Sequence, residues 1–132
     1  MEDIRVINRL AIANGLEVIP LIQTFGHMEF VLKHQEFSEL RENLFEVFFS
    51  ILVYSLPKDD SICVSDVGSL ELIREMIGQV KELHPFVTRI HIGSDEVYHV
   101  GEDARCRREL GKLGNDHLRA LERLKIRHIA RF

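Results

Sequence analysis

The chain has 132 residues and a formal net charge of -4, with 45% hydrophobic and 29% charged residues. That length suits one ordinary domain with a core of its own. The negative balance argues against a general nucleic-acid binder, and two cysteines, Cys63 and Cys106, are too few for a disulfide framework and lack metal-type spacing.

The N-terminus, Met1-Glu2-Asp3-Ile4-Arg5, carries early charges and no apolar core of signal length. No run approaches the roughly 18 apolar residues that cross a bilayer, so neither secretion nor a membrane is expected. A reduced compartment is the simpler expectation for the cysteines, with one disulfide left open.

Residues 3–14 read as a helix, because Ile4, Ile7 and Ala11 fall three and four apart beside Val6 and Leu10. Asn14-Gly15 stops it, since glycine accepts the left-handed closing turn. Residues 16–23 are mostly apolar and are predicted as a strand covered on both faces. Pro20 cannot donate to a ladder, so regular pairing should weaken near it. Thr24-Phe25-Gly26-His27 follows as the loop past the strand's C-terminal end. Helix, glycine, strand and loop make the αβ half of an alternating α/β fold.

Residues 28–33 suggest a short helix and 37–42 another turn. Residues 43–56 are β-branched and aromatic with one charge, Glu46. They read either as a buried strand or as an insertion that packs badly and, if exposed, aggregates. A polar loop at 57–60 follows. Residues 69–84 give the clearest helix, with Ile73, Met76, Ile77, Val80 and Leu83 on one stripe, Ser69 as the N-cap and Pro85 preventing continuation. Residues 88–92 are the second strand, so the αβ unit repeats. After Gly101 come two helices, about 103–110 and 115–131. Arg119, Arg123, Arg127 and Arg131 recur every four residues and share a face. That face is a solvated outer surface on the simpler view and an anion-binding stripe on the other.

The second strand runs into Gly93-Ser94-Asp95-Glu96-Val97-Tyr98. Gly93 lets the backbone leave at a tight angle. Asp95 and Glu96 then sit just past a strand's C-terminal end, where α/β folds place chemistry. Adjacent carboxylates repel, and a substrate, cation or proton must compensate. If the two strands are parallel neighbours, His27 and Glu29 on one loop and Asp95, Glu96, Tyr98 and His99 on the other open on one rim. Acid, acid and imidazole there suit glycosidic bond cleavage or a metal site. Taken singly, His27 could cap the following helix, His91 could be a satisfied core histidine and Tyr98 could be packing.

His91-Ile92-Gly93-Ser94-Asp95-Glu96 resembles the acid-pair motif of glycoside hydrolase family 20, the β-N-acetylhexosaminidases. Leu16-Glu17-Val18-Ile19-Pro20-Leu21-Ile22-Gln23-Thr24-Phe25-Gly26-His27 resembles the family's preceding strand. The resemblance is dense over residues 15–42 and 66–101 and faint in the C-terminal helices. Residues 43–60 depart from the family loop and stand as a doubtful insertion. The resemblance implies a fragment of a (β/α)8 TIM barrel, about half of one, because a whole barrel takes about 250 residues.

It also implies a substrate-assisted retaining mechanism acting on a terminal N-acetyl-hexosaminide, with no cofactor, metal, nucleic acid or membrane involved. Glu96 would protonate the leaving oxygen and then activate water. Asp95 would orient the acetamido group and stabilise the oxazolinium. His27, His91 and Tyr98 would support substrate binding and the charge state of the acids. The implied location is the cytoplasm, with the nucleus as a further site. The family's indole-lined pocket and acetamido-binding tyrosine belong to later strands, and this chain has no Trp, so the 132-residue chain by itself is expected to be inactive. Two other readings stand beside this one. The first is a metal-dependent hydrolase using His27, Glu29, Asp95 and His99, whose zinc would need three close ligands and an open position. The second is an inactive fragment or interaction segment.

Overall fold

In the computed structural model the described residues are 2–42, 60–97 and 99–132. The expectations for 43–56, for most of the 57–60 loop and for Tyr98 fall outside them. The elements are α1 (Glu2–Ala13), α2 (Glu29–Leu32), a 3₁₀ helix (Gln35–Leu40), α3 (Val67–Leu83), α4 (Ala104–Leu113) and α5 (His117–Ile129).

The helices follow their local signals. α1 opens on Glu2 and Asp3, which suit the positive end of the helix dipole. It closes at Gly15, whose φ is +68°, as the sequence predicts. α3 begins earlier than expected. Its N-cap is Asp66, whose carboxylate accepts the Gly68 N–H at 2.8 Å, and Ser69 lies buried inside the first turn. An aspartate caps better than a serine placed a turn later, because its charge also meets the dipole. Asp103 and Asp116 cap α4 and α5 in the same way, accepting the N–H groups of Arg105 and Arg119.

The two predicted strands are corrected to extended segments with one rung of parallel pairing. Leu21 lies opposite His91, the Ile22 N–H donates to the His91 carbonyl, and the His91 N–H donates to the Pro20 carbonyl, both at 2.9 Å. Among the described residues no longer strand forms. Pro20 accepts but cannot donate, so the ladder has no rung that needs its nitrogen. The expected cover on both faces is also absent: Leu16 is 65% exposed, Ile19 46% and Leu21 57%. Nearer the start of the two segments, Arg89 Nε donates to Glu17 Oε1 at 3.0 Å, and both side chains are largely in solvent. The pair marks the register and adds little stability.

A third extended piece was invisible in the sequence. The Ile62 N–H donates to the Phe25 carbonyl at 3.0 Å, the Cys63 N–H to Leu40 at 2.7 Å and the Glu42 N–H to Ser61 at 2.9 Å. Residues 60–63 are thus wedged between the loop after the first segment and the end of the 3₁₀ helix. The core gathers around this wedge: Phe25, Met28 and Leu32 from one side, Ile73 from α3, and Leu110 and Leu124 from the α4–α5 hairpin. The arginine row of α5 is an outer face knitted to its neighbours. Arg119 pairs with Asp116, Arg123 donates to the Leu113 carbonyl, Arg127 pairs with Glu109 and Arg131 donates to the Val64 carbonyl. No helix among the described residues is long and apolar enough to cross a membrane.

Candidate active site

The parallel rung puts both loops on one rim, and side chains of the first loop then fasten the second. The Gln23 amide spans the gap, with Oε1 accepting the Ser94 N–H and Nε2 donating to Asp95 Oδ1, each at 3.3 Å. Thr24 Oγ1 donates to the Ile92 carbonyl at 2.8 Å and lies 3.1 Å from Ser94 Oγ. The approach is close enough to demand a glycine on each side. A Cβ on Gly93, whose φ is +66°, would lie 1.8 Å from Gln23 Oε1 and 3.1 Å from the Gln23 Cα. A Cβ on Gly26 would lie 2.8 Å from the Asp95 carbonyl oxygen.

The backbone is strained here. Among the described residues the non-glycine positions with positive φ are His27 (+54°), Ser94 (+77°) and Glu96 (+46°), and all three belong to these loops. Each such conformation costs about 1–3 kcal/mol and persists only where the surroundings impose it. The strain has a visible result. Asp95, between two left-handed residues, turns to Gln23, while Glu96 turns to His27, with Oε2 3.3 Å from His27 Nε2. The two acids are sequence neighbours with separate partners. The hydrogen bond from its own backbone and the one from Gln23 hold the Asp95 carboxyl below the usual range, and His27 and His91 add positive potential when protonated. Glu96 and His27 remain open to solvent, with side chains 60% and 38% exposed.

His91 lies on the rim and is exposed, so it is not a core histidine. Its Nδ1 accepts the Gly93 N–H at 3.1 Å and so helps to turn the chain after the rung. His27 caps nothing: α2 begins after Met28 with no side-chain cap. His99 faces elsewhere, bonded through Nδ1 to Glu102 Oε1 at 2.7 Å, with Nε2 3.9 Å from Asp60. Glu29 is exposed at the start of α2. Among the described residues, then, His27, Glu29, Asp95 and His99 are not gathered closely enough to share an ion.

Sequence reasoning passed over several contributors. Gln23 and Thr24 are ordinary loop residues until the parallel register brings them beside Ser94 and Asp95. Glu42 is buried, and its Oε1 accepts the N–H groups of Glu102 and Asp103 at 2.8 and 3.3 Å, which fixes the chain leaving the acid loop. Burial pushes the Glu42 carboxyl up to about 9. From behind the site, His128 of α5 donates through Nε2 to the Thr24 carbonyl at 2.8 Å, packed between the rings of Phe25 and Phe132. Nothing local in the sequence signals a contact across 104 positions.

Residues 1–132 match the family described as "Glycosyl hydrolase family 20, catalytic domain". The chain is similar to hexosaminidase D of Homo sapiens, 48% identical over 126 residues, which takes in 90% of this chain and 24% of the relative. It is similar also to hexosaminidase D of Bos taurus, 45% identical over 108 residues, or 82% of this chain and 28% of the relative. The chain therefore spans about a quarter of the length of the curated relatives it matches.

Proposed function

The chain belongs to glycosyl hydrolase family 20, and on that premise we propose that it carries the acid pair of a β-N-acetylhexosaminidase built on a (β/α)8 barrel. The substrate is a terminal N-acetyl-hexosaminide. Its acetamido oxygen attacks the anomeric carbon while Glu96, as general acid, protonates the departing glycosidic oxygen. Asp95 holds the acetamido N–H and faces the positive charge that spreads over the oxazolinium. Glu96, now a carboxylate, takes a proton from water, and that water opens the ring with retention. His27 and His91 supply hydrogen bonds and charge beside the acids, and Tyr98, two residues after Glu96 in the sequence, is assigned a supporting role in substrate binding.

The observation that carries this reading is the divergence of the two carboxylates. An acid that must lose its proton and one that must stay ionised need different neighbours. Asp95 is bound by Gln23 and kept ionised, while among the described residues Glu96 pairs with His27 and is otherwise open to solvent. The test uses a chain that includes the remainder of the barrel and a series of aryl glycosides whose acetamido methyl carries successive fluorines. Fluorine weakens the carbonyl nucleophile, so kcat/KM should fall steeply along the series. Rates indifferent to fluorination would rule out acetamido participation.

A further inference from the structure

Away from the acid pair, three separate segments bring a carboxylate and two thiols together in the core. Glu42 follows the 3₁₀ helix, Cys63 lies in the wedge and Cys106 is in the first turn of α4. Their exposures are 1%, 0% and 0%. Cys63 Sγ lies 3.3 Å from Cys106 Sγ, and Cys106 Sγ lies 3.0 Å from Glu42 Oε2. The three donor atoms are all within 4.8 Å of one another, and both cysteines are free. Ser65 Oγ adds an oxygen 3.2 Å from Cys106 Sγ.

We propose that Glu42, Cys63 and Cys106 form a structural site for a zinc-class divalent ion, with the Ser65 hydroxyl or a water as the fourth ligand. Three donors at these separations leave one point about 2–2.4 Å from all of them, which is the length of zinc–carboxylate and zinc–thiolate bonds. A tetrahedral site with two thiolates wants its sulfurs about 3.7 Å apart, so the pair at 3.3 Å has to open by only a few tenths of an ångström. The donor set excludes calcium and magnesium, which take oxygen cages and several ligands more. Burial fits a structural site, because a water in the fourth position would be sealed from any substrate.

The outer shell is already in place. Glu42 Oε1 is held by two backbone N–H groups, which leaves Oε2 turned toward the sulfurs. On binding, the ion replaces the protons that the thiols and the carboxyl share, and those protons pass to solvent. A sealed site also implies that the ion enters while the chain folds. Cys63 and Cys106 are 43 residues apart and Glu42 and Cys106 64 apart, so one ion would pin the 3₁₀ helix, the wedge and α4 to each other.

The test is cobalt(II) present while the purified, reduced, metal-free chain refolds from denaturant, alone and with competing zinc. The expected result is a thiolate-to-cobalt charge-transfer band with tetrahedral d–d absorption, saturating at one ion per chain and abolished by zinc. Zinc should also survive dialysis in elemental analysis. Cys63→Ser and Cys106→Ser should each remove the band, and Glu42→Gln should weaken retention by roughly tenfold or more. Should a variant fail to fold, the unaltered chain still decides. No thiolate band and no retained zinc would overturn the proposal. So would a band undiminished in both serine variants, or a Cys63–Cys106 disulfide in protein isolated without reductant.

Discussion

Glu96 is held in a left-handed conformation with its carboxyl toward His27, a posture that strands and helices do not offer an ordinary residue. If it is the proton donor, Glu96→Gln should cost about 10²–10⁴-fold in kcat on glycosides with poor leaving groups and far less on activated aryl glycosides. Equal losses on both would sink the role. Asp95→Asn should lower kcat by roughly a hundredfold or more while product sugar still binds, since its charge acts on the transition state. Weakened product binding at unchanged kcat would make Asp95 a ground-state contact only. At this scale the sequence is informative where chemistry sits in a contiguous motif: Gly93, Asp95 and Glu96 are legible because the turn, the acids and their order are all local. Gln23 and Thr24 are not, because their meaning comes from a partner about 70 residues away.

Helices were legible for the same reason. A period of three and four, a stop at Gly15 and a proline at 85 are local facts, and α1 and α3 end where they say. The extended segments were only half legible. Apolar content shows that residues 16–22 want burial, but a strand becomes regular only when neighbours supply its hydrogen bonds, and here one rung is supplied. The wedge at residues 60–63 is too short for any periodicity to register. α5 reaches the site through His128, and this contact carries a pH dependence. The neutral ring donates from Nε2 to Thr24, and its buried Nδ1 has no partner among the described residues. Burial lowers the His128 pKa below its ordinary value of about 6.5, with the Thr24 carbonyl opposing and Arg131 assisting. The unfolded chain therefore binds the proton more readily, so this contribution to stability is complete above about pH 6.5 and is lost as pH falls toward the folded-state pKa. Melting temperature measured from about pH 7.5 down to 5.5 should fall more in the unaltered chain than in His128→Asn. Parallel curves would show that the ring does not titrate on unfolding.

On the scale of the whole molecule, the acids stand on a rim with one rung behind them and, among the described residues, no pocket wall around them. A parallel barrel hides its strand edges only by closing. Here Leu16, Ile19 and Leu21 are open, and the exposed apolar side of α1 adds Ile7, Leu10 and Ile12. A half-open cavity of about 230 Å³ lies between α1 and residues 84–88, at the far end of the segments from the acids. Residues 1–132 alone should thus turn over an aryl N-acetylhexosaminide far more slowly than a chain carrying the rest of the barrel at equal concentration. Turnover within about tenfold would mean that self-association replaces the missing wall.

The Leu21–His91 rung also sets a schedule. The α4–α5 hairpin joins neighbours in sequence, whereas Gln23 must wait for Asp95, 72 positions later. At about 5–20 residues per second, a ribosome needs roughly 4–14 s to deliver that partner. For that interval the apolar run at 16–22 is already outside the exit tunnel with nothing of its own to pair with. The same contact that assembles the acid pair therefore makes the growing chain a client for whatever binds bare hydrophobic segments during synthesis.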